Sequence, residues 1–479
     1  MPARLSTELA ALSLLSTLAL PSHAIGTFDY GADVGVGETD NVTLVQSNKL
    51  SQTMAIADVD FALKDKTRFL DAEAKGDFSE LDYLQGAYAS ELVGRFDGTA
   101  RYAFVPEKIS WTVQEHFGQV ALDPFLPVTP LNRENINYVS TGPNLDLRLG
   151  GVGFLDATLR YVRSDYQVSP FSSNRFLGDL ALGRLLSARS SVSINVASER
   201  ALFENTQLNT DFTRSSVYAA YELHGERTKI EADLGLTRVD SSSSANSALI
   251  QNVPTGQIPA SGRGPTTQTG GLGKLSVERL LSPSSKLTLA AGQNLTDAST
   301  NFSTLQPGAL ATTGTSPAAV TSANYKDTYT SIVWQYLHHR TSIALSAQWE
   351  KDSYAGLPQL DLDRETAQLN ATRQLTGVLA AQLIGSVYRT RYSNGQYAET
   401  DGIAGVGLVL RRGRWLELKL RIDHDSRTAS GLGAQGYSEN RAFLLVGYRP
   451  ATNPSAGMLP VSLTLSDTPQ VSNTPQVTP

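Results

Sequence analysis

The triplet Asp423-His424-Asp425 sets an imidazole between two carboxylates, the raw material of acid–base or triad chemistry. It lies in a run whose apolar and charged residues alternate, so Asp423 and Asp425 are expected on one face and His424 on the other. A triad needs its members converging within hydrogen-bond reach, and this spacing separates them. The other histidines offer less. His338 and His339 are adjacent in an expected turn and His224 begins another, so they read as surface turn residues, not as metal ligands. Glu38-Thr39-Asp40-Asn41 lacks the regular acid spacing of a calcium loop and reads as solvated loop. No Gly-x-Ser-x-Gly, His-Glu-x-x-His or phosphate-binding glycine loop occurs. The expectation is a chain that is not an enzyme and takes no cofactor and no metal.

What the charged residues do instead follows from their rhythm. In Trp415 to Asp423, Leu416, Leu418, Leu420 and Ile422 alternate with Glu417, Lys419, Arg421 and Asp423. On a helix both sets would wrap the whole surface, whereas on a strand they part cleanly. The same parting recurs where Leu70, Ala72, Ala74, Gly76 and Phe78 alternate with Asp71, Glu73, Lys75 and Asp77. Leu92 to Phe104 alternate with Arg95, Asp97 and Arg101. Arg148 follows Leu145 and Leu147, and Lys229, Glu231 and Asp233 alternate with Ile230, Ala232 and Leu234. Arg160 belongs to the same class. The charges mix signs, which suits a wet wall that pairs across strands and tunes which solutes pass.

Counting such segments from residue 27 gives twenty candidate strands, many of them of the roughly 9–11 residues that cross a bilayer at a tilt. Short turns near 64–67, 105–108, 150–153, 187–190, 224–227, 282–285, 338–340, 375–378 and 411–414 alternate with longer connections. The long ones fall near 37–49, 80–91, 120–135, 165–174, 203–212, 241–267, 297–323, 353–362, 393–398 and 427–437. Tight periplasmic turns and long external loops follow this rule in outer-membrane barrels. The fold class expected is all-β: a transmembrane antiparallel up-and-down β-barrel of about 18–20 strands, with both termini periplasmic.

The remaining features agree. Mean hydropathy is −0.19 with 18% charged residues, and after residue 24 no run of about 20 apolar residues offers a membrane helix. Arg4, the run Leu9–Leu20 and Ser22-His23-Ala24 form a secretory signal over 1–24, with Glu8 an awkward acid in its leading region. The barrel is expected over 25–449 and a Pro/Ser/Thr/Gln-rich periplasmic tail over 450–479, expected disordered. Net charge is −6 with no basic patch, which excludes nucleic acid as a partner, and the absence of cysteine suits an oxidising compartment. In Arg441 to Arg449, Ala442, Leu444, Val446 and Tyr448 share a face and Tyr448 is the closing-strand aromatic. Phe104, Trp111, Phe154, Tyr336 and Tyr448 are expected in an interfacial girdle. Tyr388 and Phe443 are the inward aromatics nominated for stacking on sugar. The loops 241–267 and 297–323, poor in charge and rich in Ser, Thr, Ala, Gly and Pro, read as disordered external loop or as a segment folded into the pore.

The start Tyr30-Gly31-Ala32-Asp33-Val34-Gly35-Val36, followed by Glu38-Thr39-Asp40-Asn41-Val42-Thr43-Leu44, resembles the outer-membrane barrels found with bacterial exopolysaccharide and exosortase (PEP-CTERM) systems. Asn440-Arg441 before the closing strand extends the likeness. The resemblance implies a barrel of roughly 18 strands, a pore for a secreted surface or extracellular polysaccharide, and periplasmic polysaccharide-export and chain-length proteins as partners. Outer-membrane lipid and the barrel-assembly machinery are the partners any such barrel implies. The alternative reading is a general or substrate-selective diffusion porin, and a third is a surface enzyme or structural barrel.

Overall fold

The computed structural model describes residues 26–450 except 207–208, 243–265, 305–321, 356, 394–396, 414 and 432–433. The signal at 1–24, nearly all of the tail and most of the loops 241–267 and 297–323 lie outside the described residues.

Alternating apolar and polar residues form a strand wherever one face can meet lipid and the other an interior. Twenty segments do so. They are β1 Thr27–Thr39, β2 Gln52–Lys66, β3 Leu70–Tyr83, β4 Glu91–Val105 and β5 Ile109–Ala121. Next come β6 Arg133–Leu149, β7 Gly153–Tyr166, β8 Ser173–Ser187, β9 Ser190–Phe203 and β10 Phe212–His224. After them run β11 Thr228–Ser241, β12 Thr266–Ser282, β13 Ser285–Thr296, β14 Tyr325–His338 and β15 Thr341–Tyr354. The last are β16 Leu362–Gln374, β17 Leu379–Tyr392, β18 Tyr397–Arg412, β19 Leu416–Gly431 and β20 Tyr437–Tyr448. Among the described residues, a short α-helix, α1 (Ala298–Thr304), follows β13.

Each strand pairs antiparallel with the next, and β1 pairs with β20 from Ala32 opposite Tyr448 to Thr39 opposite Arg441. The chain is therefore a closed 20-stranded up-and-down barrel. Closure matters because a backbone amide left unpaired in hydrocarbon costs several kcal/mol, and only a sheet without edges avoids that cost. Arg449 extends the seam: its N–H donates to the Trp415 carbonyl at 2.7 Å, and its guanidinium pairs with Asp60 of β2.

The outward face is apolar. Val34, Leu92, Leu159, Ile194, Leu236, Ile332 and Val406 stand exposed on it. Phe104, Trp111, Trp415 and Tyr448 ring it near the turn end. This belt fits a bilayer, and the chain is an outer-membrane protein. In β19 the sorting is sharp: Leu416, Leu418, Leu420 and Ile422 are 41–52% exposed, whereas Glu417, Lys419, Arg421 and Asp423 on the inner face are 1–3% exposed.

Two expectations need correction. Phe154 is not part of the girdle: its ring is buried over Gly183, and Arg148 lies over it at 5.9 Å. It holds an even position in β7, on the same face as Val162 and Tyr166, which line the interior. The strands also run further at the loop end than expected. β19 continues to Gly431, because its loop-end residues still find ladder partners in β18. Of the two readings open for 297–323, its start, Asp297 and α1, follows the inward one and packs inside the barrel.

If β20 closes the sheet, truncation after Arg449 leaves a barrel that keeps heat-modifiable mobility on semi-native gels. Removal of 442–449 unpairs both seams of β20, and the chain fails to reach the membrane. A heat-modifiable band from the shorter chain would show that another strand closes the barrel.

Candidate functional site: a charged lumen spanned by two inward segments

The interior differs from end to end. In β3 the inward residues near the turns, Asp71, Glu73 and Lys75, are about half exposed to solvent, with Lys75 paired to Glu73 at 3.0 Å and Lys66 to Asp71 at 3.5 Å. Ser79, Leu81 and Tyr83, further along the same face, are buried. Along β3 the inner face is thus open to water at the turn end and buried at the loop end, whereas in β19 Glu417 and Lys419 are buried close to the turn as well.

Two segments fill the loop end. The first is the β5–β6 connection, 122–132. It folds on itself because Asn132 Nδ2 donates to the carbonyls of Asp123 (2.8 Å), Leu126 (3.3 Å) and Pro127 (3.0 Å), while the Asn132 amide oxygen accepts the Asp123 N–H at 2.8 Å. Pro124, Pro127 and Pro130 restrict its backbone further. So braced, it carries Phe125 to the far wall. Its ring lies 4.9 Å from that of Tyr392 and 5.0 Å from that of Tyr397. Its carbonyl accepts from the Tyr397 hydroxyl (2.7 Å) and from Arg427 (3.1 Å). Arg427 also binds Glu399.

The second segment is Asp297 with α1. Arg175 of β8, fully buried, donates to Asp297 at 3.0 and 2.7 Å, to Glu199 at 3.0 Å and to Thr300 at 3.1 Å. Arg214 of β10 binds Glu199 and Thr300 and donates to the Leu295 carbonyl. Phe302 packs among Val120, Ile136, Tyr138, Val162 and Tyr166, and Ser299 shares a hydrogen bond with the Tyr166 hydroxyl. Burial raises the Asp297 carboxyl, but the guanidiniums of Arg175 and Arg214 outweigh it and hold the group well below the usual carboxylate range.

The residues singled out from sequence are distributed over this interior. Glu417, Lys419, Arg421 and Asp423 form one ladder, in which Lys419 donates to Asp33 at 2.7 Å and Arg421 to Asp423 at 2.7 Å. Arg411 reaches Glu417 at 2.7 Å. Glycines make room for it: a Cβ on Gly447 would stand 2.0 Å from the Asp33 carboxylate, and one on Gly405 2.2 Å from that of Asp423. Arg101 pairs with Asp146 (2.6 Å), Asp97 with His116 (2.7 Å), and Arg95 lies 3.9 Å from Asp77. Glu231 pairs with Lys274 at 3.2 Å, while Lys229 and Asp233 share its face of β11. Arg160 donates to the Pro143 carbonyl and to Asn144. Tyr448 is on the lipid face, half exposed. Asp40 and Asn41 staple the first loop to β20: the Asp40 carboxylate accepts from Asn440, and Asn41 donates to the Ser438 carbonyl. His424 faces out and contacts Asn440, apart from Asp423 and Asp425. His338 and His339 remain at the β14–β15 turn.

At the margin of 122–132 lies a cavity of about 220 Å³. Its charged lining includes Arg95, Arg133, Arg427 and Arg441 with Asp77, Asp401, Asp425 and Glu439. Tyr83, Tyr388 and Phe443 complete the wall; the Tyr388 hydroxyl accepts from Gln368 at 2.6 Å. Of these, Arg427, Asp401, Glu439 and the loop itself escaped the sequence reading, as did the Arg175–Glu199–Asp297 cluster. Alternation within β8, β9, β18, β19 and β20 was the signal that would have found the strand residues.

No protein-family model matches the chain, and no curated protein matches it. Among solved structures, it is similar to the copper transporter OprC at 12% identity, covering 88% of this chain and 81% of that one, with a TM-score of 0.42. The FrpB iron transporter from Neisseria meningitidis is similar at 8% identity over 91% and 82%, with a TM-score of 0.44. The outer membrane protein opdK from Pseudomonas aeruginosa is similar at 10% identity over 88% and 98%, with a TM-score of 0.34.

Replacing Arg175 with Met leaves the buried Glu199 and Asp297 with Arg214 as their one remaining guanidinium and costs the docked state about 3–5 kcal/mol, so α1 leaves its seat. The chain has no cysteine, so a single Ser299→Cys reports on docking: protected from maleimide in the parent, labelled when combined with Arg175→Met. The lowered Asp297 pKa gives the pH sign. Its stabilisation is fully present above the unfolded carboxylate pKa of about 3.9 and is lost only as pH falls through the folded value. Labelling at Ser299→Cys therefore stays low from pH 7 to about pH 5; labelling that rises across that range would show that Asp297 does not hold the helix.

Proposed function

We propose that this protein is a substrate-selective diffusion pore of the outer membrane, passing small polar solutes that carry both signs of charge. The observation that supports this is the crossing of the loop end by 122–132, seated on Tyr392, Tyr397 and Arg427 of the opposite wall. Such a segment makes a constriction, and a constriction is what a selective pore needs. The cavity beside it sets four arginines against four carboxylates, which favours a solute with an ammonium and a carboxylate over a uniformly anionic or cationic one. Below the constriction the half-exposed Asp71, Glu73 and Lys75 line a wet exit of mixed charge.

Polysaccharide secretion, implied by the resemblance of residues 30–44, is the other reading. It would require a chain of sugars to thread the space that 122–132 and α1 span. Tyr388 and Phe443 would then offer stacking surfaces, but both are buried in the wall, which favours the smaller solute. The proposed role is passage and not catalysis. Outer-membrane lipid and the barrel-assembly machinery are partners in either reading, and periplasmic export proteins only in the second.

Deleting residues 123–131 raises single-channel conductance in planar bilayers several-fold and abolishes the preference for a zwitterionic amino acid over a monocarboxylate in liposome swelling. Asn132→Ala, which removes the brace alone, moves both quantities the same way by a smaller amount. Unchanged conductance and selectivity in the deletion would remove the selective-pore reading, and loss of surface polysaccharide in a gene deletion with normal solute uptake would favour the secretion reading.

A further inference from the structure

Away from that cavity, β14, β15 and β16 meet in a second cluster. Register sets Asp327 opposite Asp352 and Tyr329 opposite Glu350, so Tyr325, Asp327, Glu350 and Asp352 all lie on the inner face. One oxygen from each of Asp327, Glu350 and Asp352 lies within 4.8 Å of the others, and all three residues are buried. Arg364 of β16 stands 3.7 Å from Glu350. Both Asp352 carboxylate oxygens and Oδ1 of Asp327 have no hydrogen-bond partner.

A second observation is independent of the acids. The Tyr325 side chain is 1% exposed, and its hydroxyl has no hydrogen-bond partner. That hydroxyl lies in the field of Asp352, Glu350 and Asp327. The ring of Tyr325 packs 4.8 Å from that of Tyr354, and Leu357 and Leu360 cover the pair from the loop end. Three carboxylate oxygens thus converge beneath an apolar lid, with the unpartnered Tyr325 hydroxyl buried in their field. Three carboxylates and one guanidinium leave a formal excess of two negative charges (−3 + 1 = −2) in a place where unpaired charge is costly. A divalent cation cancels it.

We propose that Asp327, Glu350 and Asp352, with the Tyr325 hydroxyl, bind one calcium ion inside the barrel wall. The donors are all oxygen, which suits a hard cation. Calcium holds its ligands at about 2.3–2.6 Å, so oxygens on opposite sides of one ion stand up to about 5 Å apart. The spread of the three carboxylates falls within that span. Bound there, the ion ties β14 to β15, and through Glu350 and Arg364 to β16. It also fixes Asp361, ahead of β16, whose carboxylate accepts the Tyr354 N–H at 2.6 Å.

The test uses the full-length barrel, folded in detergent free of lipopolysaccharide and stripped with a chelator. Terbium added alone is expected to show emission sensitised by Tyr325 and Tyr354, and calcium to displace it. Calcium alone is expected to raise the unfolding midpoint of the stripped protein by several degrees. Asp352→Asn and Glu350→Gln lose both the sensitised emission and the calcium-dependent shift while keeping heat-modifiable mobility. The sign separates this from a purely electrostatic cluster: without a bound ion, Asp352→Asn relieves repulsion and raises the midpoint with or without calcium. That result, or equal emission from parent and variants, overturns the proposal. Should a variant fail to fold, the parent decides alone, since no calcium-dependent shift and no calcium-displaceable emission would also overturn it.

Discussion

A chain in hydrocarbon must satisfy every backbone amide and carbonyl from within itself, and the seam between β1 and β20 is where this one meets that demand. The eight-residue ladder from Ala32–Tyr448 to Thr39–Arg441 turns an open sheet into a ring without edges. The seam is reinforced on its inner side. Lys419 to Asp33 links β19 to β1, Arg449 to Asp60 reaches β2, and Thr39 to Glu439 joins β1 and β20. Glycines at 31 and 447 leave volume that Arg449, Asp60 and Asp33 occupy, so backbone closure and lumen electrostatics are built from the same positions.

Closure then creates the problem that the interior solves. A ring of twenty strands encloses more space than wall side chains fill. Along β3 the turn end leaves that space to water, with ionised side chains half exposed. The loop end fills it with protein, and the filling is anchored by charge and aromatic rings together: Phe125 among Tyr392 and Tyr397, and Asp297 between Arg175 and Arg214. A guanidinium suits both anchors, because its fork serves a carboxylate, a hydroxyl and a carbonyl at once without losing its charge. Each inward segment is therefore held in one arrangement against the wall, as a constriction that discriminates between solutes requires.

Much of the architecture was legible because a strand's sidedness is local. Leu416 to Asp423 shows its two faces in eight letters, and the alternation of short and long connections matches the twenty strands. Phe154 shows the limit: at a turn the alternation leaves an aromatic's face open, and the room beside Gly183, on the neighbouring strand, takes its ring inward. The charged residues nominated for the interior lie where the rhythm puts them, but their partners were not legible. Lys419 and Asp33 are 386 positions apart.

By itself, then, the sequence determined an exported, cysteine-free chain whose two-residue period separates a greasy face from a charged one, and this is enough to require a closed sheet in a membrane. Tertiary structure alone decided which loops turn inward, since the seats of Phe125 and α1 are made by strands far away in the chain. It also decided that Asp327 faces Asp352, because strand register depends on ladder pairing over the whole length of β14 and β15. The physical reason is one of range: face follows from neighbours along the strand, whereas contact across the lumen follows only from closing the ring.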